Sequence, residues 1–362
     1  MFQFYMPTKV IIGRECVVKE GHLLKGIGNK ALIVTGRYSA KKNGALEDVI
    51  KALEEQNMAY CVFDEVEENP SLETVEKAKN FGVAQGVDFV IGIGGGSPID
   101  ASKAIAVMLK HPELTGSTLI GGSLSSVPVI AVPTTAGTGT EVTQYAIVTD
   151  HQAKTKKNIG HTVFPQIAFV DAYYMKDMPK TITIHTAVDA MSHLVESYLS
   201  VKSNAVSEGF VVEGLKEWGK CIPQLLAGEF TLEGRECLMM ASMLAGMAIA
   251  QTGTSLPHGM GYALTYYKGL PHGLANGILY KAYLRSFKDQ SKVQKLHVLL
   301  GLESYEALEK MLNALCRVDI EISKEEIAFY TEEMCVNKAK LQNHPEPISK
   351  EEVYKIYADS LL

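Results

Sequence analysis

The chain has 362 residues, of which 46% are hydrophobic and 21% are charged, with a formal net charge of -6. This composition is ordinary for a globular protein of roughly two domains, and the acidic balance argues against a nucleic-acid binder. The six cysteines are scattered without a CxxC pair, which favours a reducing compartment over a disulfide framework. We expect no signal peptide and no membrane span, and the predicted location is the cytoplasm.

The first half of the chain alternates short apolar runs with amphipathic segments. Strands are predicted at residues 31–35, 59–63, 88–93 and 129–132, and helices at 44–56, 71–85 and 98–109. Ser71 is expected to cap the second of these helices. Alternation of this kind predicts a parallel sheet covered by helices on both faces.

Helical periodicity dominates the second half. Helices are predicted at residues 187–199, 207–226, 234–251, 305–315 and 350–360, and the polar stretch 338–347 is predicted to be a surface loop. The shift in pattern falls between Asp171 and Thr186. We therefore predict an α/β domain over residues 1–180 and an all-helical domain over residues 181–362.

A glycine-rich turn, GIGGGSPID, spans residues 92–100 after a predicted buried strand. Its glycines permit close approach of a ligand, and the pattern predicts Ser97 as helix N-cap with Pro98 at N1 and Asp100 at N3. Free N–H groups at such a helix start bind anions, for which a pyrophosphate is a natural guest. The alternative is a tight strand–helix turn without a ligand.

A second polar loop supports the phosphate hypothesis. Residues 133–141 (PTTAGTGTE) follow another strand and offer the hydroxyls of Thr134, Thr135, Thr138 and Thr140. Two such loops at the carboxyl ends of parallel strands are typical of ligand binding at a sheet crevice.

Asp189 and His193 lie four residues apart in a predicted helix, so their side chains share one face. His258 and His272 are each preceded by proline and followed by glycine. Three imidazoles and one carboxylate suit Fe²⁺ or Zn²⁺, and the absence of cysteine disfavours a structural zinc site. Taken singly, each histidine is more typical of an ordinary surface or core residue than of a ligand, and spacing alone supports only the Asp189/His193 pair.

The chain resembles the iron-containing (group III) alcohol dehydrogenases over essentially its whole length. The resemblance rests on four motifs in the family order: GGGSPID (94–100), PTTAGTGTEVT (133–143), DAMSH (189–193) and HGMGYALTYYKGLPHG (258–273). It implies a Rossmann-like nucleotide domain, an all-α metal-binding domain and hydride transfer between small alcohols and aldehydes with NAD(P).

The resemblance also implies the residues of the site. Asp189, His193, His258 and His272 fall on the family's metal-ligand positions, with Fe²⁺ as the expected ion and Zn²⁺ as the alternative. The cofactor-binding residues that it implies, together with those of the two loops, are Gly94, Gly95, Gly96, Ser97, Asp100, Thr134, Thr135, Thr138, Thr140, Asn69 and Lys157. A homo-oligomer is expected by resemblance, with no nucleic-acid or membrane partner.

Two positions depart from the family pattern. Tyr262 stands where many members carry a histidine that assists proton movement, so either Tyr262 or solvent is expected to take that role here. Gly36 occupies the position at which an acidic residue would bind the ribose 2′-OH of NAD. With Arg37, Ser39, Lys41 and Lys42 following, we predict NADP(H) over NAD(H).

Two rival interpretations remain open at this stage. One is a zinc enzyme like glycerol dehydrogenase or a dehydroquinate-synthase relative, which shares the architecture. The other is a non-catalytic nucleotide-binding relative, against which four intact ligand positions argue. The substrate is open. Tyr145, Tyr262 and Tyr266 are candidates for shaping its pocket, with ordinary packing as the alternative for each, whereas ordinary packing is the favoured interpretation of Met247.

Overall fold

The computed structural model describes residues 2–362, which form two compact units. One is Met6–Met178, and the other is Pro179–Leu362 together with the N-terminal residues up to Tyr5. The Tyr5 backbone N–H donates to Gln251 Oε1 (3.1 Å), and Gln251 Nε2 donates to the Tyr5 carbonyl (2.9 Å). The sequence assigns residues 1–180 to the first domain. In the structure residues 2–5 group with the helical unit, because their partners lie on its helices.

The first unit contains a six-stranded parallel sheet in the order β1-β8-β5-β4-β2-β3, together with a separate hairpin, β6-β7. The predicted fold class is confirmed. The strands are β1 Lys9–Ile12, β2 Lys30–Thr35, β3 Ala59–Phe63, β4 Phe89–Gly94, β5 Val129–Pro133, β6 Ile147–Asp150, β7 Thr155–Asn158 and β8 Ile167–Val170. Four strands match the predicted segments. Four of the eight strands, each of only four residues, were not predicted.

Helices cover both faces of this sheet. They are α1 Cys16–Lys19, α2 Ser39–Lys42, α3 Ala45–Glu55, α4 Leu72–Gln85 and α5 Gly96–Lys110. Alternate side chains of β2 enter different cores: Leu32 and Val34 pack with α4 and α5, whereas Ile33 packs with α3. Ser71 caps α4 as predicted, since its hydroxyl accepts from the Thr74 N–H. The carboxyl ends of the strands therefore converge on one edge, where ligand-binding loops are placed.

The second unit is helical throughout. Its helices are α6 Lys180–Leu199, α7 Ala205–Gly219, α8 Ile222–Ala227, α9 Leu232–Thr252, α10 Leu256–Lys268, α11 His272–Gly277, α12 Tyr280–Arg285, α13 Leu296–Leu299, α14 Tyr305–Leu315, α15 Lys324–Cys335, α16 Lys338–Asn343 and α17 Lys350–Leu361. The single helix predicted over 207–226 is wrong. Pro223, near the start of α8, cannot donate an N–H and its ring would crowd the preceding turn, so the helix is interrupted.

The predicted surface loop 338–347 is also wrong. Its first part is α16, and both Asn343 and His344 are buried. Asn343 Nδ2 donates to the carbonyls of Thr252 (3.1 Å) and Thr254 (2.9 Å), which lie just before α10. Polar composition misled the prediction because the polar groups here serve as internal hydrogen-bonding partners.

Within residues 2–362, no single helix is long and apolar enough to cross a membrane. Helices α9 and α10 together have the length and apolar composition of a span, but they are bent by 110° relative to one another.

Candidate active site

The helix α6 carries three polar residues on one buried face. Asp189, His193 and Glu196 follow one another at i, i+4 and i+7, a spacing that aligns side chains along a helix. All three are buried, and Glu196 is 0% exposed. His258 lies in the first turn of α10, and His272 is the first residue of α11.

Asp189, His258 and His272 bring their ligand atoms within 4.8 Å of one another. Asp189 Oδ1 lies 3.6 Å from His258 Nε2 and 3.8 Å from His272 Nε2. The His193 ring stacks on the His258 ring with centroids 4.3 Å apart. Three of the four predicted ligands therefore form the tight group, and His193 lies beside it.

The hydrogen bonds of His258 show that this group suits a cation. His258 Nδ1 lies 2.5 Å from Glu196 Oε1, so Nδ1 carries the proton and donates it. In the neutral ring, Nε2 then presents its lone pair to the Asp189 carboxylate, and Nε2 has no hydrogen-bond partner. Two acceptors 3.6 Å apart in a buried site favour a cation between them, either a proton on the ring or a metal ion. Because metal–nitrogen and metal–oxygen bonds are about 2.0–2.2 Å long, a divalent ion fits this separation.

The charges of the site are strongly coupled. Burial acts to raise the pKa of Asp189, but His193 and His272 outweigh it and hold that pKa well below its usual range. Burial likewise opposes ionisation of Glu196, yet His258 keeps the pKa of this carboxyl lowered. Both carboxylates are therefore ionised at neutral pH and can act as acceptors.

Glycines allow the helices of the site to approach closely. A Cβ on Gly273 would lie 1.9 Å from the His185 carbonyl oxygen of α6. A Cβ on Gly261 would lie 2.1 Å from Asn276 Oδ1. The Asn276 amide donates to Asp189 Oδ1 (3.2 Å), and it faces His272 Nε2 at 3.3 Å. Small residues at these positions therefore fix the separation of the ligand-bearing helices.

Tyr262 lies one turn after His258, and its ring stacks on His272 with centroids 5.9 Å apart. The Lys340 ammonium of α16 lies 5.7 Å from the centre of the Tyr262 ring and donates to the Thr254 hydroxyl. Burial lowers the pKa of Lys340 to about 8, although Glu196 acts in the opposite direction. Sequence reasoning missed Lys340 because it lies in the segment predicted to be a surface loop. It also missed Glu196, which the i+7 spacing from Asp189 indicates.

The glycine-rich turn lies between β4 and α5, where Gly94 adopts a φ of +148°. The predicted capping is wrong: Gly95 is the N-cap, and Ser97 and Asp100 lie inside the helix. Ser97 Oγ instead accepts from the Asn69 N–H (3.0 Å). Because no side chain caps α5, its first N–H groups remain available as donors to an anion.

The threonine-rich loop packs directly on this turn. A Cβ on Gly95 would lie 3.0 Å from Thr135 Oγ1, and one on Gly96 would lie 2.7 Å from Thr138 Cγ2. Thr134 is buried, and its N–H donates to the Gly94 carbonyl. The two loops that the sequence assigned to the cofactor are therefore adjacent in the fold.

Asp100 and Thr140 have structural partners. The Thr140 hydroxyl donates to Asp100 Oδ1 (2.5 Å), and the Ile147 N–H donates to Asp100 Oδ2 (2.9 Å). Both side chains are buried. The structure thus gives these two residues a supporting position behind the glycine turn.

The two lysines of the hairpin β6-β7 have different partners. Lys157 pairs with Asp150 (2.9 Å), whereas Lys156 Nζ donates to Asn69 Oδ1 (2.7 Å). Adjacent strand residues point to opposite faces, which accounts for these different partners. Of the two, Lys156 is the one linked through Asn69 to Ser97.

A cavity of about 560 Å³ lies after the ends of β2 and β3. Gly36 and Ser39 belong to the segment that follows β2, and Ser39 begins α2. Lys41 pairs with Asp64 at 2.5 Å, so its charge is partly satisfied. The cavity is lined by Arg37, Tyr38, Phe63, Glu65, Val66, Glu67, Thr74 and Lys77.

Comparison with known proteins identifies the family. A parallel sheet with a glycine turn, and a helical unit with a buried histidine–carboxylate group, are typical of metal-dependent, nucleotide-using dehydrogenases. The model of the family "Iron-containing alcohol dehydrogenase" matches residues 7–172, and that of "Fe-containing alcohol dehydrogenase family, C-terminal" matches residues 183–361. The chain belongs to the iron-containing alcohol dehydrogenase family, and it is an NAD(P)-dependent oxidoreductase of alcohols and aldehydes.

Relatives of known activity cover most of the chain. An NADPH-dependent butanol dehydrogenase of Clostridium saccharobutylicum is 27% identical over 99% of this chain and 97% of its own. A lactaldehyde reductase of Escherichia coli (strain K12) is 32% identical over 71% of this chain and 68% of its own. The solved structure of an iron-containing alcohol dehydrogenase of Thermotoga maritima is 39% identical. It has a TM-score of 0.93 and covers 100% of this chain and 99% of that one.

Proposed function

We propose that this chain interconverts a small alcohol and its aldehyde with NADP(H), using a divalent ion held by Asp189, His193, His258 and His272. The observation that carries the metal assignment is the convergence of Asp189, His258 and His272, whose ligand atoms lie within 4.8 Å of one another. Fe²⁺ is the proposed ion and Zn²⁺ the alternative, because imidazole and carboxylate ligands suit both.

The protein residues divide the work of the reaction. The bound ion supplies a Lewis acid for the substrate oxygen. Gly95 and Gly96 would present backbone N–H groups to the cofactor pyrophosphate, and a bound nicotinamide would supply the hydride chemistry. Tyr262, stacked on His272, is the proposed neighbour of the substrate hydroxyl and stands where a histidine would move the proton.

The cavity after β2 and β3 supports the choice of NADP(H). Gly36 adds no carboxylate there, and Arg37 lines the cavity with a positive charge. The acidic residues of the cavity have partners of their own: Glu65 pairs with Lys77 (2.7 Å), and Glu67 accepts from Ser71 (2.7 Å). A 2′-phosphate would meet the charge of Arg37 in this cavity, where Lys77 offsets Glu65.

Steady-state kinetics with NADPH and NADH on a panel of short aldehydes tests this proposal. We expect a higher kcat/KM with NADPH, and a clear preference for NADH contradicts the cofactor assignment. Metal analysis of anaerobically purified protein separates an iron enzyme from a zinc enzyme like glycerol dehydrogenase. A chain that binds nucleotide but shows neither metal nor turnover would be the non-catalytic relative.

We further propose a cytoplasmic homo-oligomer. All six cysteines are free in the structure, which supports a reducing compartment. Light scattering coupled to size-exclusion chromatography measures the oligomer, and a monomeric mass contradicts this part of the proposal.

A further inference from the structure

We propose that Glu196 is a positioning residue of the metal site, which fixes the tautomer of His258 so that Nε2 faces the ion. This inference rests on the proposed function, since it concerns the same ligands. Glu196 lies at the centre of the helical unit and is 0% exposed. A carboxylate removed so completely from water costs several kcal/mol unless donors surround it, so its retention requires a reason.

Three donors converge on the two oxygens of Glu196. Oε1 accepts from His258 Nδ1 (2.5 Å) and from the Tyr280 hydroxyl (2.8 Å). Oε2 accepts from the backbone N–H of Ser255 (2.5 Å), in the residue that caps the helix of His258. The same carboxylate therefore holds both the ring of His258 and the start of the helix that carries it.

The arrangement works only with an ionised carboxylate. A backbone N–H is always a donor, and it occupies Oε2. His258 meets Oε1, and because that oxygen has no proton to give, the ring must place its own proton on Nδ1. In the neutral ring that binds a metal, the remaining nitrogen, Nε2, is then free of hydrogen, and it lies 3.6 Å from Asp189 Oδ1. Histidine ligands commonly donate their second N–H to a carboxylate in this way, which orients the ring and increases its basicity.

Substitution by glutamine separates this role from simple packing. In Glu196→Gln, the single amide oxygen is held by the Ser255 N–H, so the amide NH₂ faces His258 Nδ1. The His258 ring would then accept a hydrogen bond at Nδ1 and carry its proton on Nε2. This Nε2–H would face Asp189 in the place of the metal ion. Loss of such an outer carboxylate typically weakens metal affinity by about 10- to 100-fold.

The test uses the full chain and Zn²⁺ or Co²⁺ as the probe. Dissociation constants are measured by chelator competition, and proton NMR of the Zn²⁺-loaded protein records the downfield Nδ1–H signal of His258. In Glu196→Gln we expect a dissociation constant raised by about 10- to 100-fold and loss of that signal. Glu196→Asp, which keeps the charge, should retain part of the affinity with a shifted signal. Tyr280→Phe keeps the bond to His258 and should change affinity less than Glu196→Gln.

Glu208→Gln is the matched control. Glu208 lies on α7, away from the metal ligands, and pairs with Lys292 (2.6 Å), so this substitution should leave metal affinity unchanged. Thermal melts of the metal-free proteins establish that each variant folds. If Glu196→Gln does not fold, Glu196→Asp decides: wild-type affinity with an unshifted signal overturns the proposal. Wild-type affinity and signal in a folded Glu196→Gln overturn it equally. Failure of the wild-type chain to bind either metal would instead refute the proposed function.

Discussion

Lys103 Nζ, on the helix that follows the glycine turn, lies 2.7 Å from the Thr140 carbonyl oxygen. It also donates to the carbonyls of Thr143 (2.9 Å) and Tyr145 (2.7 Å), and the side chain is fully buried. Burial lowers the pKa of this ammonium to about 8, while Asp100 acts against that shift. Lys103 thus holds the end of the threonine-rich loop against α5 by hydrogen bonds, and α5 is the helix that would bind the cofactor phosphates.

Replacing Lys103 by Met should loosen that loop. The substitution leaves three buried carbonyls without their donor, and we expect a loss of about 3 kcal/mol in unfolding free energy. Affinity for NADPH should also fall, since the loop carries Thr135 and Thr138. Urea unfolding and fluorescence titration measure the two effects. Lys110→Met, on the exposed end of the same helix, should change neither, and an equally stable Lys103→Met would contradict this role.

Removal of a metal-binding side chain should abolish metal binding and turnover together. We expect His258→Ala and His272→Ala to be purified without stoichiometric metal and to lose activity, because each ring faces Asp189 Oδ1. Metal content and aldehyde reduction are measured on the same samples. His151→Ala, at an exposed turn, should retain both. Full activity of a metal-free ligand variant would refute the assignment.

The choice of cofactor should respond to charge at the end of β2. Gly36→Asp places a carboxylate beside the cavity, and repulsion of about 1–3 kcal/mol from a 2′-phosphate lowers kcat/KM for NADPH about 10- to 100-fold. Arg37→Gln should act in the same direction. Lys51→Gln, an exposed charge change on α3, serves as the control. A Gly36→Asp variant that kept its NADPH preference would place the 2′-phosphate elsewhere.

The sheet was predictable because burial on both faces leaves long apolar runs such as β2 and β4, which sequence shows directly. β1 and β8 were not predicted, because strands of four residues depend on pairing with neighbours that are distant in the chain. Asp189 and His193 share a helix face, so their spacing of four residues is visible in the sequence. His258 and His272 come from other helices, and only family resemblance joined them to that pair.

Some polar residues of the site carried no local signal. Lys340 and Asn343 look like surface residues in sequence, yet the fold directs them to Thr254 and Thr252. The expected capping by Ser97 failed because Gly95 takes the N-cap position and the serine hydroxyl instead accepts from Asn69. Tertiary hydrogen bonds of this kind override local capping preferences and appear only when the fold is assembled.

His344 should make the protein sensitive to acid. Burial lowers its pKa from 6.5 to about 4, although Glu346 and Glu352 act in the opposite direction. As the pH falls from 6.5 towards 4, His344 becomes protonated in the unfolded chain but stays neutral in the folded chain. The free energy of unfolding therefore decreases over this pH range. Protonation of His344 lowers the free energy of unfolding by about 3 kcal/mol in total, and the stabilising contribution of the neutral ring is fully present above pH 6.5.

His344→Phe keeps ring packing against Phe287, whose centroid is 4.8 Å away, and removes the titration. Unfolding free energies at pH 7, 5.5 and 4.5 should therefore fall less steeply in this variant than in the wild type. His151→Phe makes the same change at an exposed residue and should leave the slope unchanged. Equal slopes in His344→Phe and the wild type would exclude this source of acid sensitivity.

The close approach of α11 to α6 depends on Gly273. An added Cβ would lie 1.9 Å from the His185 carbonyl oxygen and 3.0 Å from Asp189 Cβ, so Gly273→Ala must push the two helices apart. We expect a loss of about 1–3 kcal/mol in unfolding free energy, as for other overpacked cores. Zn²⁺ affinity should weaken at the same time, because His272 and Asp189 separate.

Gly209→Ala is the matched control for this change. Gly209 lies within α7, and a Cβ there meets no atom within 4 Å. Alanine is favoured over glycine in a helix by about 1 kcal/mol, so this variant should be more stable than the wild type. Urea unfolding of the metal-free proteins and chelator competition with Zn²⁺ measure both quantities. If Gly273→Ala gained stability as Gly209→Ala does and bound Zn²⁺ normally, the separation of α6 and α11 would not be what sets the metal site.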